Sequence, residues 1–333
     1  MDLIINRSGT RIRKSGGSII LFDQKTKAKK VFPARKLSKI IVLVPSSIST
    51  GAVGLALEND IDIVFLGKFG MPVGRLVPSK RGSLSLLRQR QMEVANSGTA
   101  AVLAKKFIEA KGSSQLRFLQ FLSKKYRRDF SLEITRIEAY LESLRLVSGN
   151  MPEIRPHLLA LEGNMAEQYF RCLRKLIDFP GRVTRSAKDT FNVMLNYGYG
   201  ILYNELERCC LYTGLDPYTG FYHADRYGQV SLVFDMIEEF RVPLVDVVAV
   251  GLAIKYANLP KKLASQGLLL KEGKKILVTH IYSRLNKRII WHGQRMRVRT
   301  AVKNQVQHLA RYLTGEEREY IPFRLEDYHP WRY

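Results

Sequence analysis

The chain has 333 residues, with 54 Lys and Arg against 30 Asp and Glu and a formal net charge of +24. Hydrophobic residues make up 46%, which excludes wholesale disorder and leaves apolar surface for roughly two domains of ~100–200 residues. Repulsion among the excess cations works against a compact fold, so the charge points to a polyanionic partner, nucleic acid first and an anionic membrane surface second.

The first 80 residues read as mostly β. Short apolar runs at Leu3–Ile5, Ser18–Phe22, Lys39–Val44, Ile61–Leu66 and Val73–Val77 suit strands, punctuated by Gly16-Gly17, Pro33, Gly67 and Gly70. One helix interrupts them, with Ser49-Thr50 capping Gly51–Glu58. This segment has no His, which suits a scaffold or dimer surface. Pro78–Gly82 reads as a boundary, after which the periodicity becomes helical. Helices are expected from Ser83 to about Lys111 with Gly98 as a break, from Ser114 to Arg128, and from Ser131 to Val147. A loop follows at Ser148–Pro152, and helical patterning dominates from Arg155 onward. The expected fold class is α+β: a small N-terminal β domain over 1–80 and a larger all-helical domain over 81–333.

Three cysteines, Cys172, Cys209 and Cys210, with no CxxC pair, argue against a disulfide framework and a zinc knuckle. The N-terminus lacks a signal-peptide pattern, and no apolar run reaches the ~18 residues of a membrane span. A cytoplasmic protein with no membrane partner is expected.

Glu162 falls on an apolar stripe through Leu159, Ala166, Phe170, Leu173 and Ile177. A carboxylate there must be neutral, paired or coordinated to a cation; pairing with one of the many arginines is the plain alternative. A second cluster follows Gly220. Asp235 and Glu238 stand at i and i+3 on a helix that Ser231 can cap, and His223 lies in the preceding loop. Two like charges that close favour a cation between them. One imidazole with two or three carboxylates makes a hard, oxygen-rich site suited to Mn²⁺ or Mg²⁺ rather than zinc. In a basic protein such an ion serves phosphoryl chemistry. No Walker loop and no GxSxG elbow occur. Between the clusters, Arg185 and Asn192 can contact phosphates, and Tyr197 or Tyr199 can stack on a base or belong to the core.

The segments Leu161-Glu-Gly163, Arg185-Ser-Ala-x-Asp189-x-x-Asn192-x-x-Leu195-x-Tyr197-Gly-Tyr199, Gly214-Leu-Asp-Pro217-x-x-Gly220-Phe-x-His223 and Ser231-Leu-x-x-Asp235-x-x-Glu238-Glu-Phe240-Arg, taken together, carry a resemblance. They resemble the CRISPR-associated integrase family, the first-numbered Cas protein of spacer acquisition, with weaker echoes along the whole chain. The resemblance implies a β-sandwich-like N-terminal domain, a helical C-terminal domain, a homodimer and a Mn²⁺ or Mg²⁺ site. It implies Glu162, His223 and Glu238 as catalytic metal ligands, with Asp235 as a ligand or a group behind them. The implied reaction joins a DNA 3′-hydroxyl to a target phosphodiester, inserting spacers into the CRISPR array. The implied partners are double-stranded or branched DNA and the small second-numbered Cas protein.

Basic groups gather at Lys124-Lys125 with Arg127-Arg128, at Lys261-Lys262, at Lys271, Lys274 and Lys275, and from Arg284 through Lys287, Arg288 and Arg295 to Arg299. The last set is expected on one helix and is favoured for phosphate contact. Two other readings stay open: a hydrolytic nuclease for branched or flapped DNA, and a non-catalytic basic scaffold whose acids merely pair arginines.

Overall fold

A computed structural model of the chain describes residues 2–24, 26–67, 72–77, 85–223, 227–256, 263–265 and 267–324. The chain divides into two compact units, residues 1–82 and 83–333. The expected linker at Pro78–Gly82, Gly70 and the Lys261-Lys262 pair lie outside the described residues.

The N-terminal unit holds two four-stranded sheets. One has the order β1 (Asp2–Ile5), β5 (Lys39–Val42), β7 (Asp62–Leu66) and β8 (Pro72–Leu76). Its first three strands are parallel and its last is antiparallel. The other runs β4 (Lys29–Pro33), β3 (Ser18–Asp23), β2 (Thr10–Ser15) and β6 (Ser47–Ile48). Strand β5 reads Lys-Ile-Ile-Val and is buried throughout, as a central parallel strand must be. Gly16-Gly17 turns the β2–β3 hairpin, pairing Ser15 with Ser18. Helix α1 (Thr50–Glu58) is capped by the Ser49 hydroxyl, which accepts from Ala52 N. Ile12 and Ile19 from one sheet, Leu3, Ile40 and Ile63 from the other, and Ala52 and Leu55 from α1 share one core.

The C-terminal unit is dominated by helices: α2 (Ser85–Ala95), α3 (Gly98–Tyr126), α4 (Ser131–Leu146), α5 (Met151–Arg174), α6 (Thr190–Thr213), α7 (Ser231–Ile237), α8 (Val247–Lys255), α9 (Lys271–Asn286) and α10 (Val298–Leu313). Among the described residues, no helix is long and apolar enough to cross a membrane. The break expected at Gly98 is present, but the one expected between Lys111 and Ser114 is not. Helix α2 stops at Ala95, Ser97 caps α3, and α3 then continues through Gly112 and both following serines. Gly112 is an approach point. A Cβ there would stand 2.7 Å from Met165 Sδ and 2.9 Å from Leu141 Cδ2, so its absence lets α3 lie close against α4 and α5.

Helix α5 opens with a capping box, Asn150 accepting from Glu153 N while the Glu153 carboxylate accepts from Asn150 N. Its buried stripe includes Leu158, Met165, Tyr169, Cys172 and Leu173; of the expected stripe Leu173 and Ile177 are buried, Ala166 and Phe170 half-buried, and only Leu159, 53% exposed, faces out. Glu162 lies four residues after Leu158 and three before Met165, so it still sits on the inner face.

The C-terminal unit is not all-helical. Ala264–Ser265 (β9) pairs with Leu268–Leu269 (β10), and Arg288–Trp291 (β11) pairs with Gln294–Arg297 (β12). The segment from Arg284 to Arg299, expected as one helix, is therefore the end of α9, a hairpin and the start of α10. The residues at the bend decide this: His292 and Gly293 both adopt left-handed backbone, at φ 47° and 72°, as a two-residue hairpin turn requires.

Candidate active site

Four chain segments of the C-terminal unit supply the site. Helix α5 carries Glu162, α3 carries Lys111, α7 carries Asp235 with Glu238 just past its end, and the segment before α7 carries Tyr222 and His223.

Asp235 is fully buried and organises that segment. Its Oδ2 accepts from the backbone N–H of Phe221 at 2.5 Å and of Tyr222 at 3.0 Å, and its Oδ1 accepts from His223 N at 2.8 Å. The same Oδ1 lies 2.8 Å from His223 Nδ1. A carboxylate at that distance places the proton on Nδ1 and leaves Nε2 as the ring's available lone pair. Gly220 makes the close pass possible, because a Cβ there would stand 2.7 Å from Ser231 Cβ and 2.9 Å from its carbonyl carbon.

Glu162 and Glu238 meet through a shared cation. The Lys111 ammonium contacts Glu162 Oε1 and lies 2.8 Å from Glu238 Oε2. The two oxygens are thus within about 5–6 Å of each other, twice a hydrogen-bond length. Tyr222 donates its hydroxyl to Glu162 Oε2 at 2.5 Å, and Arg241 donates Nε to Glu238 Oε1 at 2.9 Å. Burial would push the Glu162 carboxyl up, but Lys111 and Tyr222 together hold it down at about 2. Burial pulls the Lys111 ammonium down, and Glu162 and Glu238 outweigh it, so the amine stays charged. For His223, burial favours the neutral ring, yet the bond to Asp235 and the charges of Glu238 and Glu162 raise its pKa. The imidazole and both glutamates therefore share one electrostatic neighbourhood.

Behind this cluster, residues Arg241–Asp246 form a π-helical segment between α7 and α8, a local widening often met at functional sites. It aims Arg241 at Glu238 and over the Tyr199 ring, 4.5 Å from the centroid. Tyr199 and Tyr169 in turn donate to the buried Asp246 at 2.6 and 3.0 Å.

The donor set suits a hard divalent ion. Two carboxylates already converge on one half-buried positive charge, and the imidazole next in sequence to Tyr222, which bonds Glu162, is oriented by a carboxylate. Among the described residues, no three acidic, histidine or cysteine side chains are spaced as ligands around one point. The Lys111 ammonium occupies the gap between Glu162 and Glu238. Asp235 has both oxygens committed to the Phe221–His223 backbone and to Nδ1, which makes it a positioning residue behind His223.

The residues expected to touch DNA divide by exposure. Arg185, Lys287, Arg288 and Arg295 are exposed. Asn192, Tyr197 and Arg284 are buried, and their expected roles at phosphate and base do not match where they lie. Asn192 accepts from Val183 N and Arg182 and donates to Gly181 O and Asp189, stapling the loop before α6. Tyr197 is in the core, where burial pushes its hydroxyl up to about 12. Arg284 donates Nε to Pro243 O inside the fold. Sequence reasoning missed Lys111, Tyr222 and Arg241. Lys111 carried a readable signal: it stands four residues after Phe107 and four before Gln115, on the buried face of α3, the same off-pattern placement that exposed Glu162.

Residues 3–283 match the family described as CRISPR associated protein Cas1. The chain belongs to that family. It is 29% identical to a CRISPR-associated endonuclease Cas1 of Archaeoglobus fulgidus, over 96% of this chain and 98% of the relative. It is 30% identical to one from Pyrobaculum aerophilum, over 98% of this chain and 100% of that protein. Among solved structures, a casposase bound to integration product aligns over 100% of this chain and 95% of its own, with TM-score 0.84 and 24% identity. A Cas1 protein from Thermotoga maritima aligns with TM-score 0.77 and 22% identity over 96% of this chain and 98% of its own.

Proposed function

We propose that the chain is a divalent-ion-dependent DNA integrase that joins a DNA 3′-hydroxyl to a target phosphodiester and so inserts spacers into a CRISPR array. The observation that carries this reading is the meeting of Glu162 and Glu238 on the Lys111 ammonium, with Tyr222 bonded to Glu162 and the next residue, His223, oriented by Asp235. Family membership and the likeness to a casposase bound to integration product support it. Glu162, Glu238 and Nε2 of His223 would hold Mn²⁺ or Mg²⁺. A bound ion supplies Lewis acidity at the scissile phosphoryl group and lowers the pKa of the attacking hydroxyl.

The chain's own residues do the rest. Asp235 keeps His223 in one tautomer and orientation. Tyr222 and Arg241 each hold one oxygen of Glu162 and Glu238, fixing the carboxylates' directions before substrate arrives. The exposed arginines and lysines of this strongly basic chain meet the DNA backbone. The N-terminal unit acts as the β-sandwich-like scaffold of a homodimer. A Cas6-RT-Cas1–Cas2 complex is among the matching structures, which supports the small second-numbered Cas protein as partner. The protein works in the cytoplasm.

The test mixes purified protein, the partner, Mn²⁺, a duplex with free 3′-hydroxyls and a supercoiled plasmid carrying a repeat. Joined product is expected from the parent and none from Glu162→Gln. The curated relatives are named endonucleases, which favours hydrolysis as a second reading. In the same assay hydrolysis leaves cut plasmid and no joined strand. Full activity in Glu162→Gln would remove the site from the chemistry altogether.

A further inference from the structure

The β11–β12 hairpin sets Arg288 directly opposite Arg297, and Ile290 directly opposite Arg295. Directly opposed residues of an antiparallel pair point to the same face. The other face, with Ile289 and Trp291, is buried, and Trp291 packs 6.2 Å from the Phe323 ring. The outer face thus presents three guanidiniums and one aliphatic side chain, and Ile290 is 62% exposed. Among the described residues, no acidic side chain pairs with Arg288, Arg295 or Arg297.

Two like charges held directly across a strand pair destabilise it, and an exposed isoleucine among them adds nothing to folding. Both features make sense if the face is completed by an anionic surface. We propose that this hairpin is a duplex-DNA grip, apart from the acid–histidine cluster, whose outer face enters the major groove. It rests on the DNA reading above and adds the surface and the groove.

Dimensions and chemistry favour the major groove. Two strands stand ~4.8 Å apart, and a two-stranded ribbon fits a groove about 12 Å wide and 8.5 Å deep, whereas the minor groove is about 6 Å wide. Each guanidinium can fork onto phosphate or onto guanine O6 and N7, and Ile290 can meet a thymine methyl. An acidic protein would also answer the charge. However, Arg288, Arg295 and Arg297 with one aliphatic group match the alternation of phosphate and base edge better than they match an apolar protein interface. The buried anchors Ile289 and Trp291 fix the ribbon's backbone against the core, so binding has only the outer side chains left to order.

The triple variant Arg288→Gln, Arg295→Gln, Arg297→Gln tests this by fluorescence anisotropy on a short labelled duplex across a KCl titration. The parent should bind with a steep dependence of log K on log salt. The variant should lose up to roughly 2–3 from that slope, about 0.9 per phosphate contact removed. Dimethyl sulfate should report guanine N7 protected by the parent and unprotected with the variant. An unchanged slope and affinity would overturn the hairpin as a DNA grip, and protection confined to adenine N3 would overturn the major-groove assignment. The Mn²⁺-induced rise in melting temperature, which depends on Glu162, should be the same in both proteins and shows the fold intact. A parent that binds no duplex at any salt would instead count against the integrase reading.

Discussion

The Nζ of Lys111 stands 2.8 Å from Oε2 of Glu238 while also touching Glu162, so one amine balances two carboxylates, one on α5 and one just past the end of α7. An ion entering that gap must move it. Lys111→Met removes the competing charge and leaves two buried like charges facing each other. The ion-free variant should therefore be less stable by about 3–5 kcal/mol, the usual cost of breaking a buried pair. Its gain in melting temperature on adding Mn²⁺ should exceed the parent's, because binding to the folded state stabilises by mass action. Differential scanning fluorimetry with and without the ion reads both effects. A gain no larger than the parent's would show that the amine and the ion do not compete.

Asp235 acts through His223. Asp235→Asn keeps the shape but removes the charge that fixes Nδ1–H and three backbone N–H groups. Mn²⁺ affinity by calorimetry should fall about 10–100-fold, as for other groups that orient a metal-binding imidazole. Unchanged affinity would leave Asp235 a purely structural loop clamp.

Glu239, next to Glu238, points the other way and accepts from Tyr320 OH and Phe323 N, closing the 314–324 segment over the core. Burial pushes its carboxyl up to about 8 despite those donors. Its folded pKa thus lies above its unfolded value, so the folded state binds the extra proton. The contribution is complete below the unfolded pKa near 4.5 and is lost as pH rises through about 8. Glu239→Gln should flatten the decline in melting temperature over that window. An identical decline in both proteins would assign it elsewhere.

Gly220→Ala should cost about 1–3 kcal/mol, because its new methyl would press on the backbone of Ser231. The displaced segment carries Tyr222 and His223, so strand transfer should fall more than stability does. Gly163→Ala, one residue from Glu162 with open space at its Cβ, should gain about 0.5–1 kcal/mol from helix propensity. Urea unfolding and the joining assay measure the contrast. Equal effects of the two alanines on joining would refute the packing argument.

The periodicity shift from β to helical, the capping of α1 by Ser49 and the off-pattern placement of Glu162, Asp235 and Glu238 were all legible, because each depends on spacing within a few residues. The start of the α5 stripe was read one position off, since Leu158 and Leu159 are equally apolar and only tertiary packing chooses between them, while Leu173 and Ile177 are buried as expected. Strand β2 escaped notice because Arg11, Arg13 and Lys14 crowd its outward positions, and β4 because Lys29, Lys30 and Val31 are exposed in succession and show no alternation. The Arg284–Arg299 stretch was misread for a different reason. Basic residues are compatible with a helix, and the turn depended on His292 adopting a left-handed backbone.

By itself the sequence pointed to a basic, two-part protein with acids set among apolar residues on helix faces, because local spacing sets which face a side chain occupies. Only the tertiary structure decided that Lys111, 51 positions from Glu162, supplies the charge between the two glutamates, that Asp235 serves His223, and that Asn192, Tyr197 and Arg284 are inside. Contacts of that kind are fixed by how helices pack, and a side chain's partner across such a distance leaves no periodic trace in the chain.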